Sequence, residues 1–148
     1  MKPSSILANR FLENKEIAMA GVSRNKKKFG YKVFDLLRSH GYTIYPLHPE
    51  AKEIDGVECF KSFTEIPENV KILYIVTPQY ATENVVKQSL IKKFDMVWFQ
   101  QKSETANSVN QLKDKGSEVI TGSCMFMFID PKGGHAFHKR ILHFFGKI

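Results

Sequence analysis

The stretch Gly21-Val22-Ser23-Arg24-Asn25-Lys26-Lys27-Lys28-Phe29-Gly30-Tyr31 has the residue types best suited to chemistry in this chain. It follows a short apolar run and leads into a helical pattern. A strand-to-helix turn can aim the backbone N–H groups of the helix start at an anion. Gly21 permits close approach of a ligand to the backbone, Ser23 supplies a hydroxyl, and Lys26, Lys27 and Lys28 add positive charge. This composition suits a pyrophosphate or a further phosphate. The stretch is not a GxGxxG fingerprint, because only Gly21 and Gly30 are present, and it lacks the Gly-Lys-Ser/Thr of a P-loop. A generic strand-to-helix turn with a solvated lysine run is the alternative reading of the same residues.

Other chemistry-bearing residues are sparse. Dinucleotide binders usually place an acid at the end of the second strand to hold the ribose hydroxyls. Here that position reads Pro46-Leu47-His48, with no acid until Glu50, which argues against NAD. No Ser-His-Asp order, carboxylate pair or metal-ligand run occurs, so no catalytic machinery is expected. His135 and His138, with His143 or Cys124, have the residue types of a zinc site, but the expected reading is a basic helix carrying solvated or packing histidines, with no metal. Cys59 reads as core. Cys124 reads as a small buried residue, with a reactive thiol as the alternative.

These residues must be positioned by alternating elements. Residues 16–22, 42–47, 71–76, 95–99 and 118–120 read as strands, and residues 29–40, 80–92 and 103–115 as helices. In the first helix Val33, Leu36 and Leu37 share a face, and Ser103 and Glu104 suit the start of the last. Trp98, Phe99, Tyr74 and Phe94 read as core. A helical turn is expected at 63–66, and a short amphipathic helix at 136–145. Such alternation implies βαβ units with right-handed crossovers: a doubly wound, mostly parallel five-stranded sheet with helices on both faces. Ligands in such sheets settle at the carboxyl ends of the strands, where strand order reverses. The loops that leave those ends are 21–31, Leu47-His48-Pro49, Val76-Thr77-Pro78-Gln79 and Gln100-Gln101-Lys102.

The ordered set Gly-Val-Ser at 21–23, Pro-Leu-His-Pro at 46–49, Val-Thr-Pro at 76–78 and Val-Trp-Phe-Gln at 97–100 resembles the CoA-binding domain family. That family is Rossmann-like and related to the N-terminal domain of the succinyl-CoA synthetase α-subunit. The resemblance spans residues 14–124. It implies coenzyme A as ligand, assigns Gly21, Val22, Ser23, Arg24 and Lys28 to its phosphates, and counts Phe29 and Gly30 among the cofactor-binding residues. It places Leu47, His48 and Pro49 beside the adenosine, and adds Thr77, Pro78 and Thr82. Small stand-alone members often have Asn-Pro where this chain has His48-Pro49, and tend to end in Asp-Arg-Cys where it has Gly122-Ser123-Cys124. At that edge a reactive Cys124 could form a mixed disulfide with CoA.

The chain has 148 residues, which suits one domain at 1–124 with a tail at 125–148 packed on the domain or on a partner. A net charge of +7 favours anionic partners. The expected function is a non-catalytic CoA or acyl-CoA binder, regulatory or carrier. An NAD(P)-binding oxidoreductase-like protein is the second reading, since the lysines would tolerate a 2′-phosphate. A nucleic-acid binder is the third, weakened by scattered lysines and no recognised motif. Two cysteines without CxxC spacing suit a reducing, cytoplasmic setting, and no run approaches the ~20 apolar residues that cross a bilayer. The apolar tail residues Phe137, Leu142, Phe144 and Phe145, if exposed, would mark a homodimer or partner surface.

Overall fold

The computed structural model describes residues 3–129. The elements are α1 (Pro3–Leu12), β1 (Glu16–Ala20), α2 (Phe29–Ser39), β2 (Thr43–Leu47), β3 (Glu53–Ile54), β4 (Val57–Glu58), β5 (Ile72–Ile75), α3 (Gln79–Ser89), β6 (Met96–Gln100), α4 (Ala106–Asp114), β7 (Glu118–Ser123) and α5 (Phe126–Ile129). A 3-10 turn spans Phe63–Glu65. The main sheet has the order β2-β1-β5-β6-β7, and every pairing in it is parallel. The chain builds outward from β1 to β2, then crosses to β5 on the other side of β1. Strand order therefore reverses between β1 and β5, and the crevice of a doubly wound sheet opens there. Among the described residues no helix is long and apolar enough to cross a membrane.

The central strands are apolar on both faces because helices cover both. Ile17, Met19, Ile44, Ile72, Tyr74, Met96, Trp98 and Ile120 pack with residues of α1, α2 and α5. The alternate positions, Ala18, Ala20, Leu73, Ile75, Val97 and Phe99, pack with the 3-10 turn, α3 and α4. The period-2 alternation of a strand divides the two cores. Phe94 is buried with the other predicted core aromatics.

Several elements differ from the sequence expectation. α1 was not anticipated; Phe11 packs edge-on to Trp98 at 5.3 Å, and Arg10 makes a two-point ion pair with Glu118 on β7. Between the expected strands at 42–47 and 71–76 lies the β3–β4 hairpin, which Asp55 and Gly56 turn with φ of 52° and 76°. The last long helix starts at Ala106 with Thr105 as its N-cap, its hydroxyl accepting from Ser108 N–H, and Ser103 lies in the loop before it. The α3 helix ends at Ser89. Cys59 is half-buried at the margin of the core, whereas Cys124 is buried. Met125 and Phe126 are also buried in the core. The expected helix at 136–145 and the histidines at 135, 138 and 143 lie outside the described residues.

Two glycines set the approach of α2 to the sheet. Gly21, at φ +105°, leaves β1 so close to β5 that a Cβ there would lie 2.7 Å from the Val76 carbonyl carbon and oxygen. A Cβ on Gly30 would lie 2.1 Å from the Gly21 carbonyl oxygen. The first turn of α2 thus rests directly on the backbone of the β1 exit. In an ordinary helix a Gly→Ala change gains up to about 1 kcal/mol. Gly30→Ala should instead cost about 1–3 kcal/mol through overpacking. Chemical denaturation checks this, and an unchanged or raised stability would contradict the contact.

Candidate functional site

The register brings three loop starts together at the carboxyl edge. Ala20 pairs with Leu47 on one side and Ile75 on the other. Val76 N–H donates to the Ala20 carbonyl at 2.9 Å. The β1 loop, the β2 loop and the β5 loop therefore leave side by side.

Short side-chain bonds order the β1 loop from within. Ser23 Oγ accepts from Asn25 N–H at 3.0 Å, and Asn25 Oδ1 accepts from Lys27 N–H at 2.9 Å. Lys28 N–H closes the turn on the Asn25 carbonyl. These are Ser and Asx turns. Ser23 does not cap α2, because Lys28 is the N-cap and provides no side-chain bond. Asn25, which the sequence reading passed over, organises the turn, and its spacing two residues after Ser23 is the signal. Among the described residues no acceptor takes the N–H groups of Ser23, Arg24 or Lys26. Lys26, Lys27 and Lys28 are exposed around them. The loop presents N–H groups and cations, a set matched to an anion.

Val22 and Phe29 are buried beneath the loop, Phe29 against Phe126 with ring centroids 5.4 Å apart. Their side chains support the loop, so only their backbone could reach a ligand. The hairpin braces α2 from outside. Tyr31 donates its hydroxyl to Asp55, which also pairs with Arg38 at 3.9 Å, and this carboxylate pushes the Tyr31 phenol up to about 12.

In the β2 loop, His48 Nδ1 accepts from the N–H groups of Glu50 and Ala51, at 3.0 and 2.9 Å. Its own N–H donates to the Phe60 carbonyl, and Phe60 N–H donates to the Pro46 carbonyl. Leu47 is half-buried and Pro49 exposed. Arg24 reaches across from the β1 loop to Glu50 at 3.5 Å. Burial, and secondarily the Arg24 charge, lowers the His48 pKa from its ordinary 6.5. The imidazole thus holds the loop in its neutral form, with Nδ1 unprotonated.

The β5 loop is built differently. Thr82 is fully buried; its hydroxyl donates to the Ser103 carbonyl at 2.7 Å and lies 2.7 Å from the Thr77 hydroxyl. Thr82 therefore ties the β5 and β6 loops together from a position with no solvent exposure. Gln79 Nε2 adds a bond to the Glu104 carbonyl. Thr77 is buried and Pro78 exposed. Tyr80, also passed over in the sequence, stands 90% exposed on the first turn of α3 beside Pro78. Below, Gln100 Oε1 accepts from the Tyr74 hydroxyl at 2.6 Å and from Met125 N–H at 3.2 Å. Tyr74, Gln100 and the start of α5 form one buried floor.

The model of the family described as "CoA binding domain" matches residues 15–130. The α-subunit of an ADP-forming acetate–CoA ligase II from Pyrococcus furiosus is 39% identical over 83 residues, covering 55% of this chain and 17% of that subunit. The chain thus matches a small part of that relative's length. The uncharacterized protein YneT of Bacillus subtilis is 27% identical over 112 residues, covering 76% of this chain and 83% of YneT. Among solved structures, a conserved hypothetical protein from Pyrococcus furiosus aligns with a TM-score of 0.71 and 30% identity, over 76% of this chain and 97% of that one.

The His48 staple has a consequence for stability. A histidine whose folded pKa lies below 6.5 resists protonation, so the unfolded chain binds more protons between the two values. Stability is then complete above about pH 6.5 and falls as pH drops through the lowered folded value. His48→Asn keeps an acceptor where Nδ1 stands but does not titrate. Denaturant midpoints at several pH values between 5 and 7.5 should show the native protein losing stability on acidification faster than His48→Asn. Equal slopes would contradict the staple.

Proposed function

The chain belongs to the CoA binding domain family, and from that premise we propose that it binds coenzyme A or an acyl-CoA without catalysing a reaction on it, in a regulatory or carrier role in the cytoplasm. The observation that carries the reading is the β1 loop. It lies at the β1–β5 switch point, is held tight to β5 and α2 by Gly21 and Gly30, and offers the N–H groups of Ser23, Arg24 and Lys26 within a rim of lysines. A Cβ at either glycine would strike protein backbone, so the two glycines hold the loop in the position from which its N–H groups could meet a pyrophosphate. In this reading Gly21, Ser23, Arg24, Lys28 and Gly30 hold the phosphates, with Val22 and Phe29 contributing backbone. Leu47, His48 and Pro49 flank the adenosine, Thr77 and Pro78 border the opposite side, and Thr82 supports them from within.

The non-catalytic part rests on how the buried polar groups are used. Thr77, Thr82, Tyr74 and Gln100 bond to one another or to backbone. Each serves to join elements, which leaves the crevice lined for holding a nucleotide. The free thiols Cys59 and Cys124 accord with a reducing compartment.

In thermal denaturation, CoA should stabilise the protein, by about 2.7 kcal/mol at a hundredfold excess over Kd, while NAD should not. A shift with NAD and none with CoA would overturn the reading. Ser23→Ala separates ligand contact from loop order. If the Ser23 hydroxyl donates to a phosphate, the loss of a charge-assisted bond should weaken CoA binding about 10- to 100-fold by calorimetry. A variant that loses only stability would show that Ser23 does no more than order the turn.

A further inference from the structure

The β2 loop contains a hydrogen-bond donor whose identity the fold dictates. His48 Nδ1 is turned back on its own loop, where it accepts from Glu50 and Ala51 N–H. A neutral imidazole with Nδ1 as acceptor has its proton on Nε2. Nε2 lies on the far side of the ring, and no partner among the described residues takes it. The ring cannot present an acceptor outward without breaking two backbone bonds. Arg24, the neighbouring charge, adds a guanidinium that is likewise donor-only. Glu50, the carboxylate whose charge acts on the His48 ring, is paired with Arg24 at 3.5 Å.

This pattern inverts that of a ribose-diol site. There a carboxylate accepts from both hydroxyls; here the same strand end offers donors and positive charge. A free hydroxyl must place its own proton on an acceptor, whereas a phosphate brings acceptors alone. Building on the nucleotide-binding reading above, we infer that His48 Nε2–H and the Arg24 guanidinium together recognise a phosphate monoester on the ribose of the bound nucleotide. His48 thereby sets specificity at the β2 end, and the donors Glu50 N–H and Ala51 N–H act through it by fixing its tautomer.

Two ribose phosphates share this chemistry, the 3′-phosphate of CoA and the 2′-phosphate of NADP. Calorimetric titration with CoA, dephospho-CoA, NADP and NAD separates them. The native protein should bind CoA about tenfold or more tightly than dephospho-CoA. His48→Asn replaces the Nδ1 acceptor with Oδ1 but cannot reach outward, so it should stay folded and bring the two affinities together. His48→Gln puts an amide near the Nε2 position and loses the staple, so it should lower stability yet retain part of the preference. Arg24→Ala, at an exposed position, should reduce the preference whether or not the His48 variants fold. Equal binding of CoA and dephospho-CoA by the native protein would overturn this inference and leave the CoA reading intact. So would a preference untouched by both His48→Asn and Arg24→Ala. Binding of NADP over NAD with no binding of either CoA form would support the ribose-phosphate site and overturn the CoA reading instead. Failure of all four ligands would overturn both.

Discussion

The close contact of Gly30 with the Gly21 carbonyl is the constraint on which the rest of the site depends. The contact leaves no room for a Cβ, and Gly21 is in turn pressed against the Val76 backbone at a φ that side chains rarely adopt. One point therefore joins β1, β5 and α2 at the place where strand order reverses. Protein interiors transmit such contacts because they are close-packed. The loop between the two glycines spans a short, defined gap, and its Ser and Asx turns order it while the N–H groups of Ser23, Arg24 and Lys26 stay without an acceptor among the described residues.

Polar bonds lock the other loops to this point. His48 holds the β2 loop, Thr82 joins the β5 and β6 loops, and Gln100 ties β6 to Tyr74 and the start of α5. The Thr82 and Gln100 bonds are buried, so losing either group would strand a buried donor or acceptor, which costs more than the bond itself contributes. The lysines around the β1 loop play a different part: they are exposed and supply charge without fixing geometry. The site thus has a rigid floor, a neutral imidazole on one wall and a cationic rim.

The parallel strands were legible because strands buried on both faces read as unbroken apolar runs, such as Ile72 to Ile75. The first loop was legible for a related reason, since a glycine at a strand exit followed by a helix is a local pattern. What escaped depended on distant partners. α1 is held by Trp98 and Glu118, far along the chain, so its own short pattern says little. The β3–β4 hairpin did have a local mark in Asp55-Gly56, the pair that favours a tight two-residue turn, set within only two-residue strands. Thr82 drew attention through its place after Val-Thr-Pro, but only packing shows that its hydroxyl turns inward. Likewise, the role of His48 follows from the N–H groups of residues two and three positions on, which spacing alone does not reveal.

In the proposed complex the nucleotide lies across the β1–β5 switch point with its phosphates on the β1 loop. Backbone amide chemical shifts recorded by NMR during a CoA titration test this most directly. The N–H signals of Ser23, Arg24 and Lys26 should move furthest, followed by those of residues 47–49 and 77, while those near Asn69 and Lys92, at the opposite edge of the sheet, stay in place. Saturable shifts confined to that opposite edge, or a titration that leaves the β1 loop amides unmoved, would contradict it.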